Sequence, residues 1–136
     1  MPPQAPHTQP RFVYHYTSEG NARDIADDCW ILKSAWGTDG PGVYVTDLPP
    51  TLNRLGISEA LWEKWHPRKM EAYVRLPFLA GEMVPSERYP RVWVVKDADL
   101  PLTGLEDLEV GVWDGRDRSD PADVGAWRAV PLARCR

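Results

Sequence analysis

Two short segments of the chain combine side chains that could hold a flat, charged ligand. In the first, Tyr14-His15-Tyr16-Thr17, a histidine lies between two tyrosines and a hydroxyl residue follows. In the second, residues 40–47 (GPGVYVTD), a glycine turn opens into a strand with Tyr44 at its centre. A neutral imidazole can donate one ring N–H to a ligand hydroxyl. A tyrosine ring can stack on a planar cation with a cation–π contribution.

Together the two segments resemble the core of the ADP-ribosyltransferase superfamily, in the branch with a His-Tyr-acid signature. There, one strand carries His, then Gly or another residue, then Ser or Thr. A second strand carries Gly-x-Tyr, then an aromatic or aliphatic residue, then Thr, Ser or Ala. The nearest likeness is to the small bacterial toxin-type His-Tyr-Asp domains, with Pro49 as the proline that follows the acid. The resemblance covers roughly residues 11–100. It implies NAD⁺ as co-substrate and no metal.

The resemblance also implies a role for each matching residue. His15 would bond the adenosine-side ribose hydroxyl, and Tyr44 would stack on the nicotinamide. The backbone at Tyr16 would hold the nicotinamide carboxamide. The full set of predicted cofactor-binding residues is His15, Tyr16, Thr17, Gly42, Tyr44 and Thr46.

The reaction implied by the resemblance passes through an oxocarbenium-like state, which a carboxylate would stabilise. Polymerase-type members carry a Glu at the head of a late strand, where this chain has Arg91 or Val92. The rifamycin-modifying branch has an Asp in the loop after its third strand, which falls near Glu82 here. We therefore predict Glu82 as the third catalytic residue beside the histidine and tyrosine. Glu87 and Asp97 are the alternatives.

Each of these residues also has a purely structural interpretation. A single histidine on an aromatic strand is more often half-buried packing than a ligand contact, and Tyr44 alone would be a packing residue with its hydroxyl at the rim. Glu82 alone reads as a solvated loop charge. Trp62 and Trp65 are expected in the core. Residues 114–123 (DGRDRSDPAD) are expected to form a solvated charged loop.

Composition narrows the class of protein. The 136 residues carry a net charge of −4 and show no basic stripe, which disfavours a nucleic-acid partner. Cys29 and Cys135 are too few for a disulfide scaffold and have no zinc spacing, so Cys135 is expected to be a loose thiol. No signal peptide or membrane-length apolar run is evident. We expect a cytoplasmic protein, or export by a route without a signal peptide if the chain is a toxin domain.

The elements that would position the site follow from periodicity and turn residues. A flexible arm over 1–10 should precede a single domain over 11–134, which the resemblance implies to be ADP-ribosyltransferase-like. The predicted fold is α+β, with a split, mainly antiparallel sheet and two short helices. The predicted strands are 11–17, 42–47, 71–78, 91–97, 108–113 and 126–133, with an extended piece at 30–36 and helices over 21–29 and 51–65. The last strand carries Pro131 and is therefore expected at a sheet edge. Ser18 or Asn21 can cap the first helix, and Thr51 can open the second.

The predicted function is NAD⁺-dependent mono-ADP-ribosyl transfer to a protein or small-molecule acceptor. A NAD⁺ glycohydrolase, with water as acceptor, would use the same residues. An RNA 2′-phosphotransferase on the same scaffold would need basic residues to grip RNA, and the acidic balance counts against it. A non-catalytic NAD⁺- or ADP-ribose-binding module is the remaining alternative, because the acid is not fixed by the motif. If the chain is a toxin domain, a cognate immunity protein is the expected partner.

Overall fold

The computed structural model describes residues 9–135, and nearly all of the predicted arm over 1–10 lies outside them. Two α-helices, α1 (Glu19–Asp28) and α2 (Arg54–Trp62), are accompanied by short 3₁₀ helices at Pro67–Met70 and Ala133–Cys135. The strands are β1 (Phe12–Thr17), β2 (Trp30–Ile31), β3 (Gly42–Thr46), β4 (Ala72–Pro77), β5 (Val84–Pro85), β6 (Val92–Lys96), β7 (Leu100–Pro101), β8 (Glu109–Trp113) and β9 (Trp127–Pro131).

Seven of these strands form one sheet in the order β5-β6-β3-β1-β4-β8-β9, while β2 and β7 pair separately. Every strand pairing is antiparallel. The prediction of an α+β fold with a mainly antiparallel sheet and two helices is confirmed. The prediction that the last strand lies at a sheet edge is also confirmed, since β9 has only β8 as a neighbour. Its Pro131 is compatible with that place because an edge strand can spare a backbone donor.

The sheet has a weak seam between its two central strands. The β1–β4 ladder runs without interruption from Phe12↔Pro77 to Thr17↔Ala72. The β1–β3 ladder, in contrast, consists of the single pair Tyr14↔Thr46. The strands therefore fall into two well-paired groups, β5-β6-β3 and β1-β4-β8-β9, that share one rung. The rest of the β1–β3 boundary is free to hold side chains.

The two helices begin where side chains cap them. Ser18 accepts a hydrogen bond from the backbone N–H of Asn21 at 3.2 Å, so α1 begins at Glu19, two residues before the predicted start. Asn53 accepts one from Gly56 at 2.9 Å, so α2 begins at Arg54 and not at Thr51. Between the two possible caps of the first helix, the structure uses Ser18.

The sheet buries a different set of side chains on each face. On one face the aliphatic core includes Val13, Val74 and Val45, and α1 packs there through Ala22 and Ile25. On the other face an aromatic cluster forms beneath α2, with Tyr16, Tyr73, Ile57 and Met70 buried and Tyr14, Trp62, Trp65 and Trp127 packed against them. Six of the twelve tryptophan and tyrosine residues of the chain belong to this second core.

The expectation of a loose thiol at Cys135 is wrong. Cys29 and Cys135 form a disulfide, with their Cα atoms 5.4 Å apart. The bond ties the end of α1 to the C-terminal 3₁₀ helix across a sequence separation of 106 residues. Spacing cannot reveal a pairing of this kind, because two cysteines 106 residues apart are brought together by the fold and not by the local sequence.

The charged segment over residues 114–123 is a largely exposed loop, but a buried arginine holds part of it in place. Arg54 is 1% exposed, and its guanidinium donates to the backbone carbonyls of Arg118 at 3.2 Å and Asp120 at 3.3 Å. Its Nη2 lies 3.8 Å from Oδ2 of Asp123, and its Cζ lies 4.3 Å from the centre of the Trp113 ring. Carbonyl and carboxylate acceptors and a cation–π contact thus replace the water that the buried charge has lost.

Candidate functional site

A cleft of about 440 Å³ opens at the seam between β1 and β3, within the size range of ligand pockets. Of the predicted site residues, His15, Tyr16, Gly42, Tyr44 and Thr46 line it. The remaining lining residues are Tyr14, Leu32, Ser34, Trp36, Gly37, Thr38, Val45, Leu61, Trp62, Lys64, His66, Lys69, Tyr89 and Val92.

His15 and Tyr44 meet at the seam through a side chain and a backbone carbonyl. Strand alternation assigns His15, which pairs with Val74, to the aliphatic face, and Tyr44 to the opposite face. The two residues nevertheless meet, because the β1–β3 ladder is interrupted. Nδ1 of His15 lies 2.8 Å from the carbonyl oxygen of Tyr44, so the imidazole takes the place of a missing backbone rung. Both residues consequently line the same cleft.

The hydrogen bond fixes the tautomer of His15, because a carbonyl oxygen only accepts. Nδ1 carries the hydrogen and Nε2 is left as an acceptor without a hydrogen-bond partner among residues 9–135. Burial lowers the pKa of His15 to about 4, the bond to Tyr44 acts in the opposite direction, and the nearby charge of Lys69 lowers the pKa further. The ring is therefore neutral at pH 7.

The phenol of Tyr44 is held by the glycine-rich turn that precedes β3. Its hydroxyl accepts from the backbone N–H of Asp39 at 2.9 Å and donates to the carbonyl of Gly40. Gly37 packs so closely on the ring that a Cβ built there would lie 2.4 Å from Cζ of Tyr44. Burial raises the pKa of Tyr44, so the phenol stays protonated at neutral pH. The ring orientation is fixed before any ligand arrives.

Three further residues that were predicted to bind the cofactor line the cleft, and each also makes a contact that supports the fold. Tyr16 donates its hydroxyl hydrogen to the carbonyl of Leu48 at 2.8 Å. Thr46 donates to the carbonyl of Arg91 at 2.7 Å. A Cβ on Gly42 would lie 2.5 Å from the backbone oxygen of Val95, so only glycine lets β3 approach β6 at this point.

Two predicted site residues lie apart from the cleft. Thr17 is 2% exposed, and its hydroxyl accepts from the side chain of Asn21 at 2.7 Å, so it supports the start of α1. Glu82 is exposed in the turn between β4 and β5 and is not among the lining residues. Neither alternative acid lines the cleft, and Asp97 forms an ion pair with Lys33 at 2.7 Å.

No aspartate or glutamate lines the cleft among the residues that the structure describes. Val92, one of the two positions aligned with the polymerase-type acid, does line it and pairs with Thr46. Three carboxylates adjoin lining residues in the chain, and each is bound elsewhere. Asp39 accepts from Ser86 at 2.7 Å, Asp47 pairs with Arg91 at 2.7 Å, and Glu63 pairs with Arg88 at 3.4 Å.

One wall of the cleft carries positive charge that the sequence analysis missed. Lys64, His66 and Lys69 all line the cleft and come from the segment that joins α2 to β4. Burial lowers the pKa of His66, and the charges of Lys69 and Lys64 lower it further. The local sequence KWHPRK at 64–69 held the signal, because it is a basic run in an acidic chain.

Aromatic rings form much of the remaining lining. Trp36 is 88% exposed at the cleft, which is unusual for so large an apolar side chain. Trp62 packs against the aromatic core, as expected, and also lines the cleft, with its ring centroid 5.5 Å from that of His66. Tyr89 lines the cleft as well.

Comparison of the chain with known protein families, curated proteins and solved structures found no match. Within residues 9–135, no group of three or more His, Cys, Asp or Glu side chains could hold a metal ion. In the same range, no helix is long and apolar enough to cross a membrane. The described lining supplies aromatic rings for stacking, the neutral imidazole acceptor of His15 and the ammonium groups of Lys64 and Lys69.

Proposed function

We propose that the chain binds NAD⁺ in this cleft, cleaves the nicotinamide–ribose bond and transfers ADP-ribose to a protein or small-molecule acceptor. The observation that carries the proposal is the junction of His15 and Tyr44. These two residues come from separate strands, are joined by a 2.8 Å hydrogen bond and line one cleft. That is the arrangement expected from the resemblance of the two motifs.

The geometry fits the proposed role of Tyr44 and changes the hydrogen-bonding role proposed for His15. The Tyr44 ring is held in place by its hydroxyl and by Gly37, so stacking a planar nicotinamide on it would cost little ordering entropy. Nε2 of the neutral His15 can accept a hydrogen bond from a ribose hydroxyl. The proposed donor role of His15 would need the opposite tautomer, so the structure favours acceptance over donation at this ring.

A second candidate is favoured by one specific observation. The described lining holds no carboxylate, and a carboxylate is what would stabilise the oxocarbenium-like state. A module that binds NAD⁺ or ADP-ribose without cleaving the dinucleotide needs no such group. The two candidates make different predictions, because only the enzyme releases nicotinamide.

The test measures nicotinamide release from NAD⁺ at high protein concentration, together with NAD⁺ affinity by calorimetry. We expect wild type to release nicotinamide, and His15→Ala and Tyr44→Ala each to abolish release. Tyr73→Phe is the matched control, since Tyr73 is a buried tyrosine outside the cleft whose hydroxyl contacts Glu109. Circular dichroism confirms that each variant folds. His15→Asn, which keeps a donor near the Tyr44 carbonyl, covers the case in which His15→Ala unfolds.

Tight NAD⁺ binding with no release would select the binding module, and the absence of both would refute the proposal. Full activity in both site variants would move the site away from the seam. The acid is found in the same assay by comparing Glu82→Gln, the sequence-based assignment, with Asp47→Asn, which lies next to a lining residue. A rate loss of orders of magnitude with unchanged NAD⁺ affinity identifies the catalytic carboxylate. Labelled NAD⁺ incubated with lysate then shows whether ADP-ribose becomes attached to an acceptor or goes to water.

A further inference from the structure

The cleft has a charge that is opposite to that of the whole chain. The protein carries a net charge of −4. Among residues 9–135, the charged side chains that line the cleft are Lys64 and Lys69, without a single carboxylate. A concave surface of one sign concentrates ligands of the opposite sign, because its low-dielectric walls focus the field.

Neither lysine has an ion-pair partner among residues 9–135. The ion pairs of the described residues engage arginines throughout the sheet and the loops, and one of them engages Lys33 with Asp97. None of these pairs involves Lys64 or Lys69. Their fields reach the imidazoles of the cleft, since Lys69 lowers the pKa of both His15 and His66, and Lys64 lowers that of His66.

The backbone that carries this wall is fixed by a buried serine. Ser58 of α2 is fully buried, and its hydroxyl donates to the carbonyl of Lys64 at 2.7 Å. The same hydroxyl accepts from the backbone N–H of His66 at 2.8 Å, and the N–H of Lys69 donates to the carbonyl of His66 at 3.1 Å. Hydrogen bonds thus hold the backbone that carries the two lysines, and both ammonium groups reach the cleft from one side.

We propose that Lys64, His66 and Lys69 form a phosphate-binding wall for a nucleoside diphosphate group. Ammonium groups bind phosphate oxygens as point charges with strong, charge-assisted hydrogen bonds. The neighbouring Trp62 and the exposed Trp36 offer ring faces on which a base can stack. Free ADP and the ADP-ribose part of NAD⁺ present the same diphosphate, so both belong to this ligand class. The binding of NAD⁺ at this wall rests on the proposed function, whereas the binding of ADP does not.

The experiment titrates the whole chain with ADP, adenosine and inorganic pyrophosphate, following tryptophan fluorescence or heat. We expect ADP to bind more tightly than adenosine, with an affinity that falls as salt rises. Lys64→Gln and Lys69→Gln should each weaken ADP binding about tenfold or more, as expected for loss of a charged hydrogen bond. Adenosine binding should stay unchanged.

Lys96→Gln is the matched control. Lys96 is exposed at the end of β6, outside the cleft, and this change alters the net charge by the same amount. If Lys96→Gln weakens ADP binding as much as the two wall variants do, the effect is long-range charge and the wall is refuted. Equal affinities for ADP and adenosine in wild type would refute it as well.

A second readout follows from the histidine at the wall. Bound diphosphate should raise the pKa of His66, measured by NMR titration, because it offsets the two lysine charges that lower it. An unchanged value in saturating ADP overturns the proposal. The two proposals fail separately. Loss of ADP binding in the lysine variants without any nicotinamide release would sustain the wall and refute the enzyme. Nicotinamide release with an unaltered KM for NAD⁺ in both lysine variants would support the enzyme and refute the phosphate-binding wall.

Discussion

The neutral His15 makes the stability of the fold depend on pH in a defined window. Burial holds its pKa at about 4 in the folded protein, against an ordinary value of 6.5. The unfolded chain binds a proton below pH 6.5, whereas the folded chain resists one until about pH 4. The contribution is therefore fully present above pH 6.5 and is lost as pH falls through the window.

The size of the effect follows from the difference between the two pKa values. At about 1.4 kcal/mol for each unit, a fall from 6.5 to about 4 corresponds to roughly 3 kcal/mol. His15→Asn removes the titration and keeps an N–H donor close to the position of Nδ1. Carboxylates titrate near the lower end of the same range, so the informative quantity is the difference between wild type and the variant.

The assay is urea unfolding followed by tryptophan fluorescence, from pH 7.5 to pH 4.5. We expect the unfolding free energy of wild type to decline by about 2 to 3 kcal/mol more than that of His15→Asn across this range, because the unfolded wild-type chain takes up a proton that the folded chain resists. Parallel curves for the two proteins would show that His15 titrates normally. The seam would then be open to water and the imidazole would be charged at mildly acidic pH.

Three further predictions concern the frame around the cleft. Arg54→Met should lower the unfolding free energy by about 3–5 kcal/mol in urea, because it removes the charge partner of the buried Asp123 and a donor to three backbone carbonyls; a change below 1 kcal/mol would contradict the assigned contacts. Cys135→Ser should cost about 5 kcal/mol, the entropy of a closed loop of this length, and adding reductant to wild type should cost the same; a variant as stable as the oxidised protein would disprove the bond. Gly37→Ala should displace the Tyr44 ring and weaken NAD⁺ binding in calorimetry, whereas Gly20→Ala, with nothing within 4 Å of the added carbon, should leave binding intact; equal affinities in the two would show that the turn yields freely.

Much of the sheet could be predicted from local sequence, because β-branched and aromatic runs bounded by turn residues leave few alternatives. The strand containing Tyr44 and the edge position of Pro131 are examples. Helix starts were less accessible. Asn53 and Thr51 are both acceptable cap residues, and tertiary packing decides between them.

The site was predictable only in part. The motifs identified His15 and Tyr44, and the structure brings both to one cleft. The alternation of side chains along a strand could not show how they meet, because it places them on opposite faces of the sheet. They are joined only because the β1–β3 ladder is interrupted and the imidazole reaches the Tyr44 carbonyl. The place of Glu82 outside the cleft could not be foreseen, because a loop position has no periodicity to orient its side chain. The lysines were visible as a basic run, but their shared wall depends on the fold of the segment after α2.

The disulfide also governs what happens to the chain when a protease cuts it. Nearly the whole described sequence lies between Cys29 and Cys135. A single cleavage anywhere in that stretch leaves two fragments that remain attached to one another. A nicked molecule would keep its intact mass on a non-reducing gel and separate into pieces only after a thiol is added. Exposed turns such as the one around Gly81 can therefore be cut without releasing either half of the sheet.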